Sequence, residues 1–197
     1  HKLPTSYPSR RAWLHFTVQG ADGEVIFESG AYNADGSIVG NDADDDPVSY
    51  EPHYLSIDSP DQVQIYEATM ANSDGEVTTT LLRGASYMKD NRLLPSGFDT
   101  VDPDIAVNGR AAEDSDFSAG GDRVQYDVPL NPGSAGEPNP SGPFSVTVEL
   151  LYQSISYRWI DNLRQQSAPE IDRFLEYEQV VPNWPIVIAR ATVEVTE

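Results

Sequence analysis

The sequence contains no cysteine. Disulfides, thiolate metal sites, cysteine nucleophiles and covalent attachment of a c-type haem within these residues are therefore excluded. Positive charge is scarce: 12 Lys and Arg stand against 32 Asp and Glu, a formal net charge of −20. Such a surface repels phosphate backbones and anionic lipid, which argues against nucleic-acid partners and membrane-surface roles. Long apolar runs are missing too. No stretch approaches the roughly 18 residues of a membrane-spanning helix, so no membrane insertion is expected, and no export signal is recognisable. The sequence opens on His1 instead of Met, so a fragment of a longer chain is expected.

What is present is enough for a core. The 197 residues are 39% apolar and 10% aromatic, which suits a folded globule and not a disordered tail. Fifteen prolines and 14 glycines spread along the chain point to many turns and few long helices.

Residues 11–19 place Leu14, Phe16 and Val18 in alternation with His15 and Thr17. A Gly-Ala-Asp-Gly turn and residues 24–28 follow, and the pair predicts a β-hairpin. Residues 30–51 are turn-rich and acidic, with the short apolar pair Ile38-Val39, and predict a long ordered loop. Residues 62–69 alternate again, then Asn72-Ser73-Asp74-Gly75 turns into the β-branched run 77–82, a second hairpin. Between residues 83 and 121, turn signals surround short strands near Leu93 and residues 105–107. Strands at 123–130 and 144–154 bracket an exposed Pro/Gly/Asn loop at 131–143. Helical spacing appears at Trp159, Ile160 and Leu163, and again at Ile171, Phe174 and Leu175 after Pro169. Residues 184–195 return to strand. The expectation is a mainly β chain, an antiparallel β-sandwich with a short late helical insertion within residues 156–180, forming a single domain over 1–197.

Several strings stand out: His1-Lys-Leu-Pro-Thr with Tyr7-Pro-Ser-Arg-Arg-Ala-Trp-Leu-His15, Gly40-Asn41-Asp42 and Glu51-Pro52-His53-Tyr54. Gln62-Val-Gln-Ile-Tyr-Glu67, Lys89-Asp-Asn-Arg-Leu-Leu-Pro95, Leu151-Tyr-Gln-Ser154 and Tyr157-Arg-Trp159 complete the set. Together they resemble the β domain that follows the haem-binding part of some exported multihaem c-type cytochromes. The resemblance spans nearly the whole chain. It implies electron transfer outside the cytoplasm, in a periplasmic or extracellular setting. It also implies that His1 serves as an axial ligand to a haem held by an upstream segment or a partner chain. The Cys-x-x-Cys-His motifs of such cytochromes are absent here, so haem c belongs only to that upstream segment or partner. The partner expected is thus a haem-bearing segment or cytochrome subunit.

Other residues carry candidate chemistry of their own. Asp42-Ala-Asp44-Asp-Asp46 has the alternate-carboxylate spacing of calcium loops, and Glu51 lies close behind. Pro47 stands where the helix-loop-helix calcium pattern has Gly, and His53 where it has Glu, so that motif is not met. Calcium held by Asp42, Asp44, Asp46 and Glu51 is one expectation, and a solvated acidic loop the other. His53 offers a nitrogen beside Glu51, but zinc needs three or four ligands, and a histidine packed at a strand end is the plainer reading. Asp114, Asp116 and Asp122 form a second acidic group suited to turns. No Gly-x-Ser-x-Gly, phosphate-cradling glycine loop or His-Glu-x-x-His occurs, and an enzyme is not expected. The expected role is a non-catalytic accessory domain for extracytoplasmic electron transfer, shielding haem and contacting partners. The alternative is a calcium-stabilised extracellular binding or adhesion module for carbohydrate or protein.

Overall fold

A computed structural model describes residues 1–102, 106–130 and 140–196. Ile105, from one expected short strand, and most of the expected 131–143 loop lie outside the described residues.

The strands and helices follow in chain order. They are β1 (Arg11–Gln19), β2 (Val25–Ser29), α1 (Asp42–Asp45), β3 (Ser56–Ile57), β4 (Ile65–Tyr66), β5 (Ala68–Ala71) and β6 (Val77–Thr78). Then come β7 (Ser86–Asp90), β8 (Gln125–Tyr126), β9 (Phe144–Gln153), α2 (Tyr157–Arg164), α3 (Pro169–Val180) and β10 (Ile186–Val195). The main sheet runs β10-β9-β1-β2, with β4 pairing β1 on the stretch that β2 leaves free. Every pair in it is antiparallel. A three-stranded antiparallel sheet, β6-β5-β7, and a short parallel ribbon, β3-β8, complete the β structure. The mainly antiparallel β fold with a small late helical part is the one the sequence predicts.

Alternation along β1 and β9 divides the main sheet into two faces. Ala12, Leu14, Phe16 and Val18 share one face with Tyr152, Leu150, Val148 and Val146 of β9. The β3-β8 ribbon closes part of this face: Ile57 joins Val18, Phe27 and Phe144 in one cluster, and the Tyr126 ring stacks on Phe16 at 3.9 Å. Loop residues Leu94, Ala111 and Phe117 close its other part against Leu14, Tyr66 and Leu150. On the opposite face Trp13 is fully buried with Ile38, Val63, Ile65 and Leu151. The Trp13 indole donates to the Gly30 carbonyl at 2.9 Å. Gly30, at φ +81°, must be glycine, because a Cβ there would lie 2.3 Å from the Leu14 carbonyl oxygen.

Several details depart from the sequence reading: the strand expected at 77–82 keeps only β6 at its start, and the one expected at 123–130 shrinks to β8. The expected strand 62–69 is broken: β4 joins the main sheet, and β5 leaves it to pair with β6 and β7. Every residue from Val63 to Ala71 is buried, so the segment is covered on both sides and its polar alternates have no solvent face. The expected acidic loop contains a helical turn, α1, capped by the Asn41 side chain, which accepts from the Ala43 N–H. No helix among the described residues is long and apolar enough to cross a membrane.

Candidate functional site

Polar side chains that the sequence scatters over a hundred residues meet inside the fold. Gln64 is oriented unambiguously, since its Oε1 accepts from the Tyr54 N–H at 2.9 Å. Its Nε2 therefore donates, to His53 Nδ1 at 2.9 Å and Asp122 at 3.0 Å. Asn91 is fixed likewise: its Oδ1 accepts from Glu67 N–H, and its Nδ2 donates to the Ile65 carbonyl and to His53 Nδ1. Two amide donors on Nδ1 leave the ring proton on Nε2, which donates to Asp114 at 3.0 Å. Tyr66 O–H donates to Asp122 at 2.7 Å, and the Phe117 ring meets His53 edge to face.

Among the described residues His53, Asp114 and Asp122 bring one ligand-type atom each within 4.8 Å of the others. The donor set is that of a completed hydrogen-bond network. Both histidine nitrogens are engaged. Asp114 also accepts from the Asp116 N–H, and Asp122 from the Arg123 N–H. A cation here would have to displace bonds that are already short and buried.

The carboxylates of the 42–51 segment go to separate partners. Asp44 takes both oxygens to Arg11 at 2.9 Å, with both side chains buried, and accepts from the Ile38 N–H. Glu51 is buried and accepts from Tyr54 O–H at 2.7 Å, Val63 N–H at 3.1 Å and Asp42 N–H at 3.2 Å. Asp46 accepts from Val48 N–H and Ser49 O–H, while Asp42 and Asp45 are exposed. The spacing that suggested calcium thus coincides with a helical turn whose buried acids are neutralised by Arg11 or met by hydrogen-bond donors.

Burial raises the Glu51 carboxyl above its ordinary value, against the pull of its three donors. A carboxyl with a raised folded-state pKa contributes stability that is present at low pH and lost as pH rises through that value. Glu51→Gln should therefore gain on wild type as pH climbs from about 4 to neutrality, read as the difference between the two melting temperatures at each pH. An unchanged or opposite trend would show that the donors outweigh burial.

Further buried charge pairs surround this network. Lys89 is buried with Glu67 at 3.2 Å, and burial pushes its ammonium below the usual lysine value. Asp90 is buried under Arg92 at 2.7 Å and Lys2 at 2.8 Å. Leu3 and Leu93 exchange backbone hydrogen bonds of 2.9 and 2.8 Å, so the first residues are strapped to the body and His1 projects from that strap, exposed. His15 lies on the sheet face with Thr17, its ring nitrogens against Glu149 at 3.1 Å and Glu28 at 2.8 Å.

Of the residues singled out by sequence, the structure joins His53 to Asp114 and Asp122. It does not bring Asp42, Asp44, Asp46 and Glu51 to one point among the described residues. Sequence reasoning missed Arg11, Gln64, Lys89 and Asn91. Their signal was present, because each lies in a string that carried the family resemblance.

No family model matches the chain, and no curated protein matches it. A solved structure is similar: the penta-heme cytochrome c552 from Thermochromatium tepidum. The two are 15% identical with a TM-score of 0.48, over 99% of this chain and 33% of that one. This chain therefore spans about a third of that cytochrome's length.

A further apolar surface is exposed around α3. Helix α3 has no buried residue, and Tyr177, Val180, Val181 and Trp184 are all more than half exposed. A groove of about 340 Å³ is lined by Ile155, Phe174, Tyr177, Val181 and Trp184 among others.

Proposed function

We propose that this chain is a non-catalytic accessory β domain of an exported multihaem cytochrome, supporting electron transfer outside the cytoplasm. The observation that carries the reading is where the resembling strings end up. Glu51, His53, Gln64, Tyr66, Glu67, Lys89 and Asn91 bond mainly to one another and to backbone, so what the strings encode is the body of a domain. Side chains engaged in this way serve the interior of the domain. His1 would lend an imidazole to a haem in a neighbouring segment or subunit, a role supported by its exposure on a strap pinned at Leu3 and Lys2. The apolar surface of α3 and Trp184 is the contact expected with that haem-bearing neighbour.

The native protein, isolated from its source, should carry a Soret absorption from haem attached outside these residues. In that assembly His1→Ala should turn a low-spin haem spectrum high-spin, and Val180→Asp with Tyr177→Asp should release the haem-bearing partner. Native material that is colourless and binds no c-type cytochrome would overturn the proposal.

A further inference from the structure

Strand β10 is the outer strand of the main sheet, and no described residue pairs with its free edge. All ten of its residues are exposed. A β-bulge interrupts its pairing with β9 between Val187 and Ala189, but from Ala189 to Val195 the register is regular. This seven-residue edge contains neither proline nor lysine, the common devices that blunt a free strand. Its side chains divide cleanly. Arg190, Thr192 and Glu194 continue the polar face through Glu149, Thr147 and Ser145, whereas Ala189, Ala191, Val193 and Val195 continue the apolar face through Leu150, Val148, Val146 and Phe144.

We propose that this edge pairs with the same edge of a second copy, antiparallel about a twofold axis through Thr192. An axis perpendicular to the sheet keeps the polar face on the polar side, which requires positions of equal parity to face each other. With Thr192 opposite its own symmetry mate, Arg190 faces Glu194 of the other copy, and Glu194 faces Arg190. On the apolar side Ala191 meets Val193, and Ala189 meets Val195, small against large at each step. Shifting the axis to Arg190 or Glu194 sets like charges opposite each other, and shifting it to Ala191 or Val193 leaves Glu194 facing no cation across the seam, while Arg190 keeps only its own cross-strand pairing with Glu149. The Thr192 register alone satisfies both. It also extends the threonine row Thr17, Thr147, Thr192, whose last two hydroxyls are 3.0 Å apart, from one copy into the next.

The inference does not rest on haem, and the intact 197-residue chain suffices to test it. Because each copy carries a charge of −20, the measurement belongs near 0.15 M salt, where long-range repulsion is screened beyond about 8 Å. Sedimentation equilibrium should find twice the 21.6 kDa of one chain. Glu194→Arg, at an exposed position, should raise the dimer dissociation constant at least tenfold, and Arg190→Glu should do the same. An equimolar mixture of the two variants should recover the dimer, since each now supplies the charge the other lacks. Recovery on mixing cannot come from misfolded chains, and Glu194→Arg alone decides the matter should Arg190→Glu fold poorly. A wild-type monomer at high concentration, a Glu194→Arg dimer as tight as wild type, or an edge whose amides resist exchange only when a different protein is added would each overturn the pairing.

Discussion

Arg11→Met should destabilise the fold by about 3–5 kcal/mol, the usual result of stripping one partner from a buried ion pair. Arg11 is 1% exposed and holds three groups at once. Its Nε donates to Gln153 at 2.8 Å, one terminal nitrogen binds both Asp44 oxygens, and the other donates to the Gly36 carbonyl at 3.0 Å. Methionine fills the space and leaves the Asp44 charge buried alone. At about 2–4 °C per kcal/mol for a chain of this size, the melting temperature should fall by roughly 6–20 °C. Adding Asp44→Asn to Arg11→Met should return part of that loss, because the stranded charge is then gone. Wild-type melting should be equal in excess calcium and in chelator, since the guanidinium occupies both oxygens of Asp44. A loss under about 1 kcal/mol, or a wild type that calcium stabilises, would mean that Asp44 is not held in this way.

His53→Ala should be comparably severe. It removes the acceptor of two buried amide donors and the donor to Asp114. Each buried group left without a partner costs about 1–3 kcal/mol, so a loss above about 3 kcal/mol is expected before the cavity is counted. Zinc or chelator should leave wild-type melting unchanged. If chelator instead reproduces the His53→Ala loss, the cluster is a metal centre and the tautomer derived from Gln64 and Asn91 is wrong.

These two sites mark how far the sequence could be read. The bounds of β1, the hairpin it forms with β2, the late helices and the returning strand were all visible, because each depends on periodicity within a dozen residues. The interior polar chemistry was not. Asp44 meets Arg11 across 33 positions, and His53 meets Asp114 across 61. Local spacing turned the first into a calcium ligand and left the second as a turn former. The strand at 62–69 failed for a related reason. Alternation of Val63 and Ile65 with Gln62, Gln64 and Tyr66 predicts one wet face, yet both faces are covered and Gln64 is fully buried. Polar residues in an alternating strand can mark an internal hydrogen-bond network as readily as a solvent face, and only the distant partners tell which.

The pairing of β1 with β9 sets an order of events during synthesis. Arg11 and Gln153 are joined across 142 residues, and β1 is the strand from which β2, β4 and β9 all take their places. At roughly 5–20 residues per second, a ribosome needs on the order of ten seconds to supply β9 after β1 has emerged. For that interval the main sheet has only the β1–β2 hairpin and whatever joins it locally, with the N–H and C=O groups along one edge of β1 unpaired. The strand to which most of the sheet attaches thus emerges before its longest partner, and its free edge stays open until β9 arrives.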